Sequence, residues 1–142
     1  MEFKVLAVGD VVGGPGMERI RRHLRQLKRT TGADFVVVNG ENASVVGITP
    51  SQAEDILDAG ADAITLGNHS FSKREITAYL DESSRIVRPA NYAPQVPGKG
   101  WTVLESRFGA VTLIDLIGRC GMDYGPDNPF LMIEKILKQV DT

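Results

Sequence analysis

Three short segments of this 142-residue chain gather the residue types that hydrolytic metal chemistry uses. They read Gly9-Asp10-Val11-Val12-Gly13, Asn39-Gly40-Glu41-Asn42-Ala43 and Gly67-Asn68-His69-Ser70. Asp10, Glu41, Asn42, Asn68 and His69 together offer carboxylate, amide and imidazole donors. Such a set suits manganese, iron or zinc and is poor for thiolate-loving ions. Taken singly, Asp10 and Asn68 read as helix caps or turn formers, the ordinary work of such residues beside glycine. Glu41 is less easily explained as a turn residue, because glutamate caps poorly. His69 alone stands evenly between a structural hydrogen-bonder and a catalytic group.

The segments become a site only if the elements before them bring them together. Phe3–Val8, Asp34–Asn39 and Ala61–Leu66 are apolar, β-rich runs, and each ends immediately before one of the three segments. Between them, Met17, Ile20, Leu24 and Leu27 recur at helical spacing from Pro15 until Gly32. Thr49-Pro50-Ser51 opens a second helix that carries Ala53, Ile56 and Leu57 up to Gly60, and a third helix is expected over Ser72–Leu80. Strands alternating with helices, each strand apolar on both faces, predict an α/β fold with a mostly parallel, doubly wound sheet and flanking helices. Ligands in such sheets bind outside the carboxyl ends of the strands, so all three segments are expected to converge at one edge. Further on, Trp101–Glu105 and Ala110–Leu116 read as a hairpin turning at Arg107-Phe108-Gly109 and extending the sheet. Pro129 opens a last helix with Phe130, Ile133, Ile136, Leu137 and Val140 on one side. No repeat, low-complexity segment or linker interrupts the chain, so residues 1–142 read as one domain.

Composition narrows the class. Apolar residues make up 42% and charged residues 24%, a globular balance that excludes a disordered or collagen-like chain. The lone Cys120 cannot close an intrachain disulfide, and no apolar run approaches the roughly 20 residues of a membrane span. Met1-Glu2-Phe3-Lys4 leads directly into a strand without a signal-peptide pattern, so a cytoplasmic protein is expected. In the first helix Arg19, Arg21, Arg22, Arg25, Lys28 and Arg29 stand against Glu18 alone. That stripe reads as a solvated helix face, and alternatively as the footprint of a non-catalytic nucleotide- or RNA-binding module. The first loop, G-D-V-V-G-G-P-G, matches neither a dinucleotide fingerprint nor a P-loop, and its Asp10 would repel a phosphate unless a cation lies between. His23 reads as a boundary residue beside the apolar stripe, and Cys120 has no partner that would make it a nucleophile.

Gly-Asp-Val-Val-Gly at 9–13, Val-Asn-Gly-Glu-Asn at 38–42, Gly-Asn-His at 67–69, Arg-Pro-Ala-Asn-Tyr from 88 and Pro-Gly-Lys-Gly-Trp up to 101 occur in one order along the chain. Together they resemble the YmdB-type metallophosphoesterases, within the calcineurin-like superfamily. The resemblance implies the first half of a metallophosphoesterase α/β/β/α sandwich, a dinuclear centre of two divalent ions (iron or manganese, zinc also compatible), and hydrolysis of phosphodiesters such as 2′,3′-cyclic nucleotides. It further implies that Asp10 and Asn42 serve one metal, Glu41 bridges, Asn68 serves the second and His69 acts catalytically beside them. Partners implied are a small phosphodiester, a cyclic nucleotide or RNA, with a homo-oligomer as one way to complete the site and no membrane. This sequence departs from the family in two respects. Phe71-Ser72 stands where the family tends to have Trp-Asp, which would alter the substrate wall. No histidine follows His69, whereas family members carry further histidine ligands in two later segments, so a chain truncated at its C-terminus is expected.

Overall fold

The computed structural model describes residues 2–122 and 125–140. Four strands, β1 (Val5–Val8), β2 (Phe35–Asn39), β3 (Ala63–Thr65) and β4 (Ile86–Val87), form a parallel sheet in the order β1-β2-β3-β4. The connections carry α1 (Gly13–Thr31), α2 (Pro50–Asp58) and α3 (Ile76–Glu82). Strand order therefore follows chain order and never reverses, so the sheet is singly wound and not doubly wound as its alternation suggested. Alternation specifies parallel pairing but leaves open the side on which each new strand adds. With crossovers of one hand, a sequential order places all connecting helices on one face. The packing agrees: Leu6 and Val8, Val36 and Val38, Ile64 and Ile86 meet Met17, Ile20, Leu24, Ile56, Ile76 and Leu80 in one hydrophobic cluster.

The second face is covered differently. β5 (Trp101–Ser106) and β6 (Gly109–Ile114) pair antiparallel as a separate two-stranded sheet and do not extend the first. The turn end of this hairpin lies by the start of the first sheet, where Phe108 meets Phe3 edge-on at 5.9 Å and Arg107 pairs with Asp34. Its open end lies by the last strands, where the Ala90 amide donates to the Asp115 carbonyl at 2.8 Å. A hairpin so placed leaves the β1 end of that face bare, while Phe35, Ala63 and Val87 are buried. Val5 is 54% exposed and Ala7 is exposed too, so β1 is a half-covered edge strand, contrary to the fully buried strand its composition suggested. The last helix, α4 (Pro129–Val140), buries only Ile136; Phe130 is 78% and Leu131 65% exposed.

Local signals account for the element ends. Thr49 and Gln52 form a reciprocal capping box at the start of α2, and Gln52 also donates to the Ala43 carbonyl at 3.0 Å. This one side chain ties the Glu41-Asn42 loop to the helix that follows it. β4 has no counterpart in the sequence pattern, since two residues are too few to show a period. The third helix begins at Ile76 rather than Ser72, because residues 69–75 close successive turns, Ser72 donating to the His69 carbonyl at 3.1 Å. The basic stripe of α1 serves packing. Arg21 pairs with Asp55 at 2.5 Å, Arg25 donates to the Asp58 carbonyl, Lys28 pairs with Asp62 at 2.8 Å, and Arg22 pairs with Glu18 along the helix. Solvent-exposed pairs of this kind contribute little to stability. Leu27 and His23 are exposed, and His23 accepts from Arg19 at 3.3 Å. Among the described residues, no helix is long and apolar enough to cross a membrane.

Candidate functional site

Register brings the three loops together. Val8 lies opposite Val38, Asn39 opposite Thr65, and Thr65 opposite Val87, so the strands end level. Sheet-like bonding continues one step beyond: Val11 donates to the Asn39 carbonyl, Gly40 to that of Thr65, and Leu66 to that of Val87, each at 3.0 Å. The side chains after this row are thereby held at one edge.

Four of the five expected residues form one connected network there. The Asn42 amide nitrogen donates to Asp10 Oδ1 at 2.7 Å, and the Asn42 amide oxygen lies 2.6 Å from His69 Nδ1. Because the amide nitrogen faces the carboxylate, the oxygen faces the ring, and His69 donates from Nδ1. That tautomer leaves Nε2 as the acceptor. The Glu41 carboxylate accepts the His69 backbone N–H at 2.9 Å, with Nδ1 4.0 Å away. Asn68 stands apart from this network and lines an adjoining cavity with Phe71 and Tyr92.

Two backbone features make the arrangement possible. Asp10 holds a left-handed conformation, φ +43°, which aspartate tolerates better than most residues. Gly67 packs against the Glu41 carboxylate, and a Cβ at position 67 would overlap both of its oxygens. A glycine is required there by close approach alone, so Gly67 and Glu41 form one unit.

Asp115, just beyond β6, also reaches this edge, and nothing in the sequence pattern singles it out. Its carboxylate accepts the Leu66 N–H at 3.0 Å, beside the loop that carries Asn68 and His69. Burial raises its pKa from 3.8 to about 7, against the stabilising Leu66 amide and with the nearby Glu41 charge adding to the rise. Arg88, 5% exposed, faces it as a partial counterion and is itself pulled down by burial. Only an unusually buried carboxylate marks the position, and burial is not visible in a sequence.

The sign of the linkage is testable. In the metal-free protein Asp115 keeps its proton up to about pH 7, whereas the unfolded chain releases it near 3.8. The native state therefore binds the extra proton between these values, and stability falls as pH rises through that window. Asp115→Asn keeps an acceptor for Leu66 and removes the charge. At pH 8 the variant is expected to be more stable than the wild type by about 2–4 kcal/mol, with near equality at pH 4. Urea unfolding of both proteins at the two pH values checks this, and parallel pH profiles would refute it.

The donors fit divalent ions by kind, since carboxylate, amide and imidazole oxygen and nitrogen atoms suit manganese, iron or zinc. Among the described residues no three of His, Cys, Asp and Glu gather closely enough to hold a metal by themselves, so a metal here would also need amide oxygens. The Asn42 oxygen has a second lone pair beyond the one that meets His69.

The profile of the YmdB-like protein family matches residues 6–142. The chain belongs to the YmdB-like family. A Bacillus subtilis (strain 168) protein named 2′,3′-cyclic-nucleotide 2′-phosphodiesterase is 36% identical over 138 residues, covering 96% of this chain and 52% of its own length. The crystal structure of a hypothetical protein from Thermus thermophilus superposes with a TM-score of 0.86 at 36% identity, over 95% of this chain and 52% of that one. That of a novel phosphatase from Mycoplasma pneumoniae gives 0.86 at 29% identity, over 96% and 51%. This YmdB-like chain thus spans about half the length of the relatives it matches. Over that half, it shares the fold of the two solved structures.

Proposed function

We propose that this YmdB-like chain carries half of a metal-dependent phosphodiesterase site, whose substrates are small phosphodiesters such as 2′,3′-cyclic nucleotides. The observation that carries the proposal is the bonded network Asp10–Asn42–His69–Glu41 at the level ends of three parallel strands. The name of the Bacillus subtilis relative supports the substrate class, and that of the Mycoplasma pneumoniae structure supports phosphoester hydrolysis more broadly.

In this proposal Asp10 and Asn42 would hold one divalent ion, Asn68 would hold a second, and Glu41 would serve both. Iron or manganese suits these donors best, and zinc is compatible. Bound ions would supply Lewis-acid polarisation of the phosphoryl oxygens and an activated water at neutral pH. The remaining work falls to the protein. His69 is held by two bonds, its backbone N–H to Glu41 and its Nδ1–H to Asn42, so Nε2 is the atom that meets the substrate. Protonated, it would give that proton to the departing alkoxide. The neutral amides Asn42 and Asn68 supply oxygen donors without adding negative charge against an anionic diester.

Calorimetric titration with Mn²⁺, followed by assays of 2′,3′-cyclic AMP hydrolysis with Mn²⁺ and after EDTA, tests this. Saturable binding and turnover that EDTA reduces to background are expected. Absence of both would overturn the proposal, and binding without turnover would limit it to a metal-holding half-site. The basic stripe of α1 gives a nucleic-acid reading little support, because Arg21, Arg25 and Lys28 are already engaged by Asp55, Asp58 and Asp62.

A further inference from the structure

Beside the polar network lies a cavity of about 360 Å³ lined by Asn68, Phe71, Ser72, Tyr92, Ala93 and Val96. Its volume is at the small end of ligand pockets, which run from roughly 300 to 1,000 Å³. No lining side chain carries a charge, although the adjoining network contains two carboxylates and an imidazole. The two environments therefore suit different parts of one ligand, an anionic part in the network and a neutral, flat, partly apolar part in the cavity.

The aromatic pair gives the cavity its shape. The Phe71 and Tyr92 rings lie 6.2 Å apart and are inclined at 40°, so they form an open wedge and are not stacked face to face. Both are held in place. Phe71 packs against the main hydrophobic cluster, and the Tyr92 hydroxyl donates to the Gly67 carbonyl at 3.3 Å, one residue before Asn68. The wedge is thus anchored to the loop that carries His69. With its oxygen turned to a metal ion, Asn68 still has an amide nitrogen that can donate, and Ser72 adds a hydroxyl that can donate or accept. A rigid aromatic surface with a few hydrogen-bonding groups is the chemistry that receives a heterocyclic base.

We infer that the Phe71–Tyr92 cavity is a nucleobase subsite, so that the chain favours phosphodiesters carrying a base over base-free ones. The inference rests on the phosphodiesterase proposal for the neighbouring network and adds to it the part of the substrate that sets preference. Base–aromatic stacking is strong enough that 2′,3′-cyclic AMP should bind at least about tenfold more tightly than ribose 2′,3′-cyclic phosphate.

Calorimetry in Mn²⁺ buffer with three probes decides the matter: 2′,3′-cyclic AMP, ribose 2′,3′-cyclic phosphate and adenosine. The tenfold preference is expected in the wild type and in Phe71→Tyr, which keeps the ring. Phe71→Leu, which keeps the bulk but not the ring, should bring the two cyclic phosphates within about twofold of each other. Equal binding of these two by the wild type would overturn the base subsite and leave the phosphodiester proposal standing. Binding of adenosine and 2′,3′-cyclic AMP without the base-free probe would support the subsite and remove the neighbouring proposal. If none of the three binds, both fall.

Discussion

Replacing Glu41 by glutamine is expected to weaken Mn²⁺ binding by about a hundredfold or more while leaving the fold intact. Glutamine has nearly the same shape, and its carbonyl oxygen can still accept the His69 N–H that Glu41 Oε2 takes at 2.9 Å. What it lacks is charge and a second anionic oxygen, the features a bridging ligand needs. Losing a residue that merely supports a metal ligand costs 10–100-fold in affinity, so losing a ligand belongs at or beyond the upper end. The substitution also removes a negative charge next to buried Asp115, which favours a fold no less stable than the wild type. Calorimetric titration, with the thermal midpoint recorded alongside, separates the two effects. Unchanged affinity in a folded variant would exclude Glu41 from metal binding and with it the dinuclear proposal.

Gly100→Ala should act on the fold with comparable force. Gly100 lies at the junction of the two sheets: its carbonyl accepts the Asp115 N–H at 3.1 Å, and the neighbouring Lys99 carbonyl accepts the Arg88 N–H at 2.9 Å. A Cβ at this position would overlap the Ala90 backbone itself, and backbone pinned by these bonds cannot rotate away as a side chain can. Overpacking of a core typically costs 1–3 kcal/mol, and with no flexible neighbour to yield the cost should reach about 3 kcal/mol. For a chain of this size, that lowers the thermal midpoint by about 10 °C. The same junction seats Asp115 against Leu66, so Mn²⁺ binding should weaken in the surviving folded protein as well. A midpoint within about 2 °C of the wild type would mean that the hairpin can shift without consequence.

Much of this architecture is legible in the sequence. The β-rich runs before residues 9, 40 and 67 are strands, the helix boundaries at Pro50 and near Gly32 follow capping and glycine signals, and the hairpin turns at Arg107-Phe108, with Gly109 of the expected turn already paired to Ser106. These are local properties, set by side-chain period, φ preference and hydrogen bonds within a few residues. The candidate loops are legible for a related reason: polar groups placed at strand ends stand out against apolar runs. Their meeting at one edge follows once the strands are parallel and level.

What sequence pattern does not convey is everything that depends on contacts between distant segments. Strand order is one instance, since β-α alternation is equally compatible with a sheet that reverses and one that does not; the hydrophobic cluster on a single face shows which occurred. The separate hairpin sheet is another, because β-propensity does not name a partner strand. Asp115 is the clearest case. It falls inside the expected strand Ala110–Leu116 with nothing to mark it, and only folding, which seats it by Leu66, 49 positions away in the chain, buries it, raises its pKa and places it near Glu41. Likewise Gly67 reads as a strand stop, yet the Glu41 carboxylate occupies the space where its side chain would be. Residue type and spacing thus specified the elements and the donors, since both are encoded within a few residues. Proximity specified the electrostatics, since desolvation and charge coupling exist only after the chain has closed on itself.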